Sequence, residues 1–260
     1  MLTFNFVHIN LRKKGEKFMF FNMDQRSLYG VLIIFAIISI LSLGADGMMT
    51  TLLTLPGVII AIVCHEFAHA YAADKLGDTT PRSQGRLTLD PKAHLDPIGL
   101  FLLIFANIGW GKPVQINPNN FNSNKSRATC EMWVSLAGPL TNFILAIIFT
   151  VIFFVLDIVF PNPNNIISII NTIVFCTILV NIGLGVFNLI PIPPLDGEKI
   201  FKRFLPYNAV AWLDRNEQML HMLFMLLWIT GILGNLVSPI INTVFSLIFK
   251  AVDAIFGIFI

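Results

Sequence analysis

An all-α polytopic membrane protein is the fold the sequence predicts, with about six transmembrane helices and a small membrane-associated β element between helices two and three. Three observations point there. Of the 260 residues, 55% are hydrophobic and 12% charged, and the mean hydropathy is +0.76, whereas a soluble domain carries about 25% charged residues. Six apolar runs each approach the roughly 20 residues that cross a bilayer as a helix. The 17 Lys and Arg residues avoid every second connection between those runs.

Residues 1–27 read as a basic N-terminal tail (Arg12, Lys13, Lys14, Lys17), with Met19 and Met23 as alternative starts. No small-residue cleavage site precedes a soluble domain, so the first run is expected to be a retained helix and not a signal peptide. The apolar runs lie near 28–45, 51–73, 131–156, 166–190, 217–235 and 238–258. Between the second and third, the segment 74–130 holds one apolar stretch, Ile98–Ile108, too short to cross as a helix and expected to be re-entrant or interfacial. Two short alternating pieces flank it, Arg86-Leu87-Thr88-Leu89 and Pro113-Val114-Gln115-Ile116, bounded by Gly, Asp or Pro as strand ends often are. The segment 206–260 is expected to be a C-terminal transmembrane helix pair.

Charge sets the expected orientation. Five basic residues precede the first run, seven lie in 74–130, four lie between the fourth and fifth runs, and Lys250 is near the C-terminus. By the positive-inside rule both termini and both long connections face the cytoplasm. A net charge of +2 leaves no general nucleic-acid footprint. Cys64, Cys130 and Cys176 form no C-x-x-C pair, which argues against a disulfide framework or a cysteine metal site. Cys64 reads as a small buried hydrophobe, with approach to a metal as the weaker alternative.

The second run contains His65-Glu66-Phe67-Ala68-His69. On a helix, histidines at i and i+4 share a face and can both offer a ring nitrogen to one Zn²⁺, with Glu66 placed as general base. A catalytic zinc takes three protein ligands and leaves one position open. The fourth run ends in Asn188-Leu189-Ile190-Pro191-Ile192-Pro193-Pro194-Leu195-Asp196-Gly197, at the same expected depth as His69. Its prolines stop the helix and Gly197 allows a tight turn, so Asp196 is favoured as third ligand over an ordinary loop aspartate. In the third run, Ala137-Gly138-Pro139-Leu140-Thr141-Asn142 places small residues where helices approach closely. Asn142 reads either as interhelical glue or as an oxyanion donor. Asn188 offers the same choice, including a clamp on an incoming peptide, and Asn181 reads as glue. His94 is expected to make a structural hydrogen bond. Asp74 and Asp78 either cap the helix end or orient a ligand imidazole.

Together these residues resemble the site-2 protease family (peptidase family M50), the intramembrane zinc metalloproteases. The resemblance spans about residues 28–205 and rests on HEFAH at 65–69, AGPLTN at 137–142 and NLIPIPPLDG at 188–197. The block Arg86–Pro91 with His94 and Asp96-Pro97-Ile98-Gly99 is similar to the compact prokaryotic branch. The resemblance implies one Zn²⁺ per chain on His65, His69 and Asp196, with Glu66 as base and acid. It implies Asn142 and Asn188 as substrate-contacting or transition-state residues. It further implies a multi-pass protein of a prokaryotic cell membrane whose site opens toward the cytoplasm. The expected partners are the bilayer and a transmembrane protein or peptide substrate, and the expected reaction is endoproteolysis in or near transmembrane segments. A membrane metal transporter and a non-catalytic scaffold binding membrane proteins are the alternatives. A transporter has no need of a general base beside its ligands, so Glu66 separates the first.

Overall fold

The computed structural model describes residues 5–6, 25–106, 108–109, 111–122 and 124–257. Helix α1 (Gln25–Lys75) is continuous apart from a kink at Gly44, where φ 66° and ψ −176° leave the helical region. The connection expected at 46–50 is helical, and the kink at Gly44 divides α1 into two helices that correspond to the first two predicted runs. The hydroxyls of Thr50, Thr51 and Thr54 donate to carbonyls four residues back, at Asp46, Gly47 and Thr50. Their polar groups are satisfied inside the helix, so this polar stretch has no need to break out into water.

Four helices among the described residues are long and apolar enough to cross a membrane: Gly44–Lys75 of α1, α5 (Arg127–Val159), α6 (Asn165–Asn188) and α10 (Ile232–Phe256). These four correspond to the second, third, fourth and sixth predicted runs; most side chains of the first, 28–45, lie outside the described residues. The fifth predicted run, 217–235, is interrupted. Helix α9 (Glu217–Ile229) ends at Thr230 and a left-handed Gly231 (φ 73°). Its 13 residues reach about 20 Å at 1.5 Å per residue, short of a hydrocarbon core of about 30 Å.

The segment between the second and third predicted runs is also corrected. It folds as three short helices, α2 (Thr80–Ser83), α3 (Pro91–His94) and α4 (Pro97–Ala106), with a 3₁₀ turn at Pro118–Asn120. Neither Arg86–Leu89 nor Pro113–Ile116 is a strand. Extended pairing among the described residues is confined to Asn5–Phe6 beside Ile108–Gly109 and a lone bridge between Leu95 and Gly111. Side chains satisfy this backbone in place of a ladder. The buried Arg86 guanidinium donates to Ala93 O and, at 3.1 Å, to Lys112 O. The buried His94 donates through Nε2 to Thr88 O at 2.7 Å, so the structural bond expected of it is present. Two short helices, α7 (Asp196–Lys202) and α8 (Tyr207–Arg215), follow α6.

Helices α1, α5 and α6 pack against one another most extensively. Val58, Ala61 and Ile62 of α1 meet Val180 and Leu184 of α6. A second apolar cluster joins α5, α6, α9 and α10 around Ile178, Ile182, Phe187, Phe224 and Trp228. The outer face of α5 is exposed and apolar (Ile144, Ile147, Ile148, Val151, Val155), as lipid contact requires. The buried polar side chains are concentrated where α1, α5 and α6 meet, and include His65, Glu66, His69, Asn142 and Asn181.

Candidate metal centre

The HEFAH turns lie near the C-terminal end of α1 and are almost wholly buried: His65 is 1%, Glu66 1% and His69 8% exposed. The i, i+4 spacing aims both rings the same way, and their Nε2 atoms are 3.0 Å apart. Asp196, the first residue of α7, brings Oδ2 to 3.1 Å from His65 Nε2 and 3.2 Å from His69 Nε2. Three donor atoms from two distant segments thus converge on one point.

The outer nitrogens decide what these donors can hold. His69 Nδ1 is 2.7 Å from Val134 O, which can only accept, so Nδ1 carries the proton. His65 Nδ1 is 2.7 Å from Asn142 Oδ1. Asn142 Nδ2 donates to Ala61 O at 3.1 Å and to Asn181 Oδ1 at 3.0 Å, which fixes the amide with its oxygen toward His65. Both imidazoles are therefore Nδ1–H tautomers, with Nε2 lone pairs turned inward. Asp196 adds a carboxylate oxygen that has no hydrogen-bond partner. Two neutral nitrogens and an anionic oxygen facing one another repel unless a cation lies between them. Tetrahedral zinc with bonds of about 2.0–2.1 Å separates its ligands by about 3.3 Å, close to the spacings here. The residues fit zinc.

Backbone closeness makes this geometry possible. A Cβ on Gly138 would lie 2.6 Å from His65 Cε1, His69 Cε1 and His69 Nε2. Helix α5 can thus touch both rings only with glycine at this position. Val134, Gly138 and Asn142 are spaced by four and form one stripe facing the histidines. At Gly197 a Cβ would meet Leu189 O and Ile190 O at 2.4 Å. The exit of α6 folds back tightly there, and this turns Asp196 toward α1.

A pocket of about 70 Å³ opens beside the ligands, lined among others by Glu66, His69, Val114, Ser135, Asp196 and Lys199. It is large enough for a water or a carbonyl. Glu66 Oε2 accepts a 2.9 Å hydrogen bond from Val114 N–H, which positions the carboxylate on the cavity. A larger groove of about 340 Å³ adjoins it, lined by Pro113–Ile116, Pro118, Glu131 and Lys199. The two aspartates that follow HEFAH lie away from the ligands. Asp74 pairs with Arg82 at 2.7 Å. Asp78 accepts from Thr80, from Asn117 N–H at 2.6 Å and from Asn120 at 2.9 Å, tying the end of α1 to the turn after Ile116. Neither contacts a ligand imidazole. Burial pushes the Asp78 carboxyl up, but these donors outweigh it and hold it below the usual range. Asn188 is buried; its Nδ2 donates to Leu184 O at 3.0 Å, and Oδ1 has no partner among the described residues.

Sequence reasoning did not assign Val134, Gly138 or Lys199 to the site, and Val114 entered only through the expected pairing of substrate along Pro113–Ile116. Only Gly138 left a signal, as the small residue four before Asn142.

The profile of Peptidase family M50 matches residues 156–232. YwhC of Bacillus subtilis, provisionally assigned as a zinc metalloprotease, is 36% identical over 203 residues, 76% of this chain and 90% of YwhC. MJ0611 of Methanocaldococcus jannaschii, with the same provisional assignment, is 29% identical over 80% of this chain and 98% of its own length. The zinc metalloprotease MJ0392 of that organism is 27% identical over 57% of this chain and 33% of its own length. No solved structure matches the chain. Kinship along nearly the whole of YwhC agrees with a buried centre whose tautomers already await a cation: the chain belongs to peptidase family M50 and is a zinc metalloprotease of the membrane.

Proposed function

We propose that this protein is an intramembrane endopeptidase hydrolysing peptide bonds in or beside transmembrane segments of membrane proteins, in regulated intramembrane proteolysis or in clearance of signal-peptide remnants. The observation that carries this reading is depth. Glu66 and the ligands His65 and His69 are buried within a helix long and apolar enough to span the bilayer. The basic connections 76–126 and 189–231 lie at the catalytic end of the spans, whereas the short 160–164 turn at the other end has no Lys or Arg. The positive-inside rule then turns the catalytic mouth toward the cytoplasm.

Zinc, when bound, supplies Lewis acidity toward water and the scissile carbonyl. Glu66, anchored by Val114 N–H, takes the proton of the attacking water and returns it to the leaving amine. Asn142 acts on His65: Ala61 O and Asn181 take its donors, so it orients a ligand instead of meeting the oxyanion. Asn188 retains spare acceptor capacity and serves as a polar contact for substrate backbone arriving at the α6 exit. A substrate helix must unwind before cleavage, since helical carbonyls are hydrogen-bonded. The Pro113–Ile116 segment along the outer groove joins no backbone ladder among the described residues and can pair with the unwound peptide.

The test is Glu66→Gln in the native membrane, with trapped substrates identified. Cleavage should fall by at least about 10³-fold, in line with loss of the acid–base group, while zinc remains bound. Full cleavage would refute the proposed role, and unimpaired zinc flux through the membrane would favour a transporter.

A further inference from the structure

Asn181 has no exposed surface and neither contacts a metal ligand nor lines the catalytic cavity. Its hydrogen bonds nevertheless form a directed chain. Asn181 Nδ2 donates to Thr177 O at 2.9 Å, and this backbone carbonyl can only accept. Asn181 must therefore turn Oδ1 the other way, where it accepts from Asn142 Nδ2 at 3.0 Å. The same constraint repeats at Asn142, whose Nδ2 also meets Ala61 O, so Oδ1 faces His65 Nδ1 at 2.7 Å. Each step has one polarity, set by carbonyls on α6 and α1. The outcome at the far end is a proton on His65 Nδ1 and a lone pair on Nε2, where zinc binds.

The helices are held in register for this. A Cβ on Gly57 of α1 would lie 2.7 Å from Thr177 Cα and Oγ1. The two backbones are thus in contact one turn from Asn181, on the stripe that runs 57, 61, 65, 69 along α1.

We propose that Asn181 is a positioning residue for the zinc centre: from α6, it orients the Asn142 amide and through it selects the metal-binding tautomer of His65. A flipped Asn142 would offer N–H to Nδ1 and move the imidazole proton to Nε2, which blocks the ligand position. A purely interhelical role makes the opposite prediction about substitutions. Leucine of similar size would then be benign in an apolar bundle, and aspartate harmful.

The experiment measures zinc affinity of the purified full-length protein by competition with a chelator, a readout independent of substrate and cleavage. Asn181→Leu, which removes the acceptor, should weaken zinc about tenfold, at the low end for partners of ligand histidines. Asn181→Asp, whose neutral carboxyl reproduces both bonds, should stay within about twofold of wild type. In an Asn142→Ala background Asn181→Leu should cost less than about twofold further, because its route to His65 is already gone. If Asn181→Leu does not fold, Asn181→Ser replaces it. Its hydroxyl back-bonds to Thr177 O and is too short to reach Asn142, so the same tenfold loss is expected. Wild-type zinc affinity in the Leu or Ser variant, a weaker Asp than Leu variant, or losses that multiply in the double variant would each overturn the proposal.

Discussion

Gly138→Ala isolates the contact on which the metal centre depends. The added Cβ would sit 2.6 Å from atoms of both ligand imidazoles, whereas carbon atoms rest at about 3.5–4.0 Å. Something must move by about 0.9 Å, several times the roughly 0.2 Å that a metal site tolerates. Retreat of α5 gives no relief, because Val134 O and Asn142 lie on the same stripe and hold the Nδ1 atoms of His69 and His65. Overpacking of this kind costs about 1–3 kcal/mol. At 1.4 kcal/mol per factor of ten, zinc affinity should fall by about 5- to 150-fold. Chelator competition on purified protein measures it, with cleavage assayed at saturating zinc. Gly183→Ala on α6 is the control, since its Cβ would meet nothing within 4 Å, and it should leave both quantities unchanged. Wild-type zinc affinity and cleavage in Gly138→Ala would refute the close-contact argument.

Val114→Pro deletes the N–H that holds Glu66 Oε2; cleavage should slow at least tenfold with zinc content unchanged, as for loss of a hydrogen bond to a charged group of about 1.5–3 kcal/mol. An equal rate would count against both Glu66 anchoring and substrate pairing along this segment. Asp78 predicts an acid limit. Its folded pKa lies below the ordinary value, so its contribution to stability is complete above an unfolded pKa of about 3.9 and is lost as pH falls through the folded value. Hydrogen exchange at Asn117 and its neighbours should accelerate in that window, and Asp78→Asn should flatten the dependence. Removal of zinc by chelation should abolish proteolysis, and re-addition should restore it in wild type; activity that survives full metal depletion would contradict the zinc assignment.

The sequence by itself determined the chemistry and the medium. HEFAH carries its geometry locally, because i and i+4 on any helix share a face. Scarcity of charge specified a membrane, and the PPLDG exit marked Asp196. Local patterns misled where a run of apolar residues was taken as a span. Apolarity is measured along the chain, but a span needs an unbroken helix, and Gly231 breaks the fifth predicted run. The alternating Arg86–Leu89 and Pro113–Ile116 pieces have strand composition but no strand partner among the described residues; side chains of Arg86, Asp78 and Glu66 claim their surroundings instead. Only the tertiary structure gave the asparagines their partners. Asn142 and Asn181 look alike in sequence, and each is a polar residue in an apolar helix. Which one touches a ligand, and which way its amide points, depends on carbonyls of neighbouring helices that no sequence spacing reports. The same holds for Gly138, whose function is an absent atom at the one place where α5 meets two imidazoles from α1.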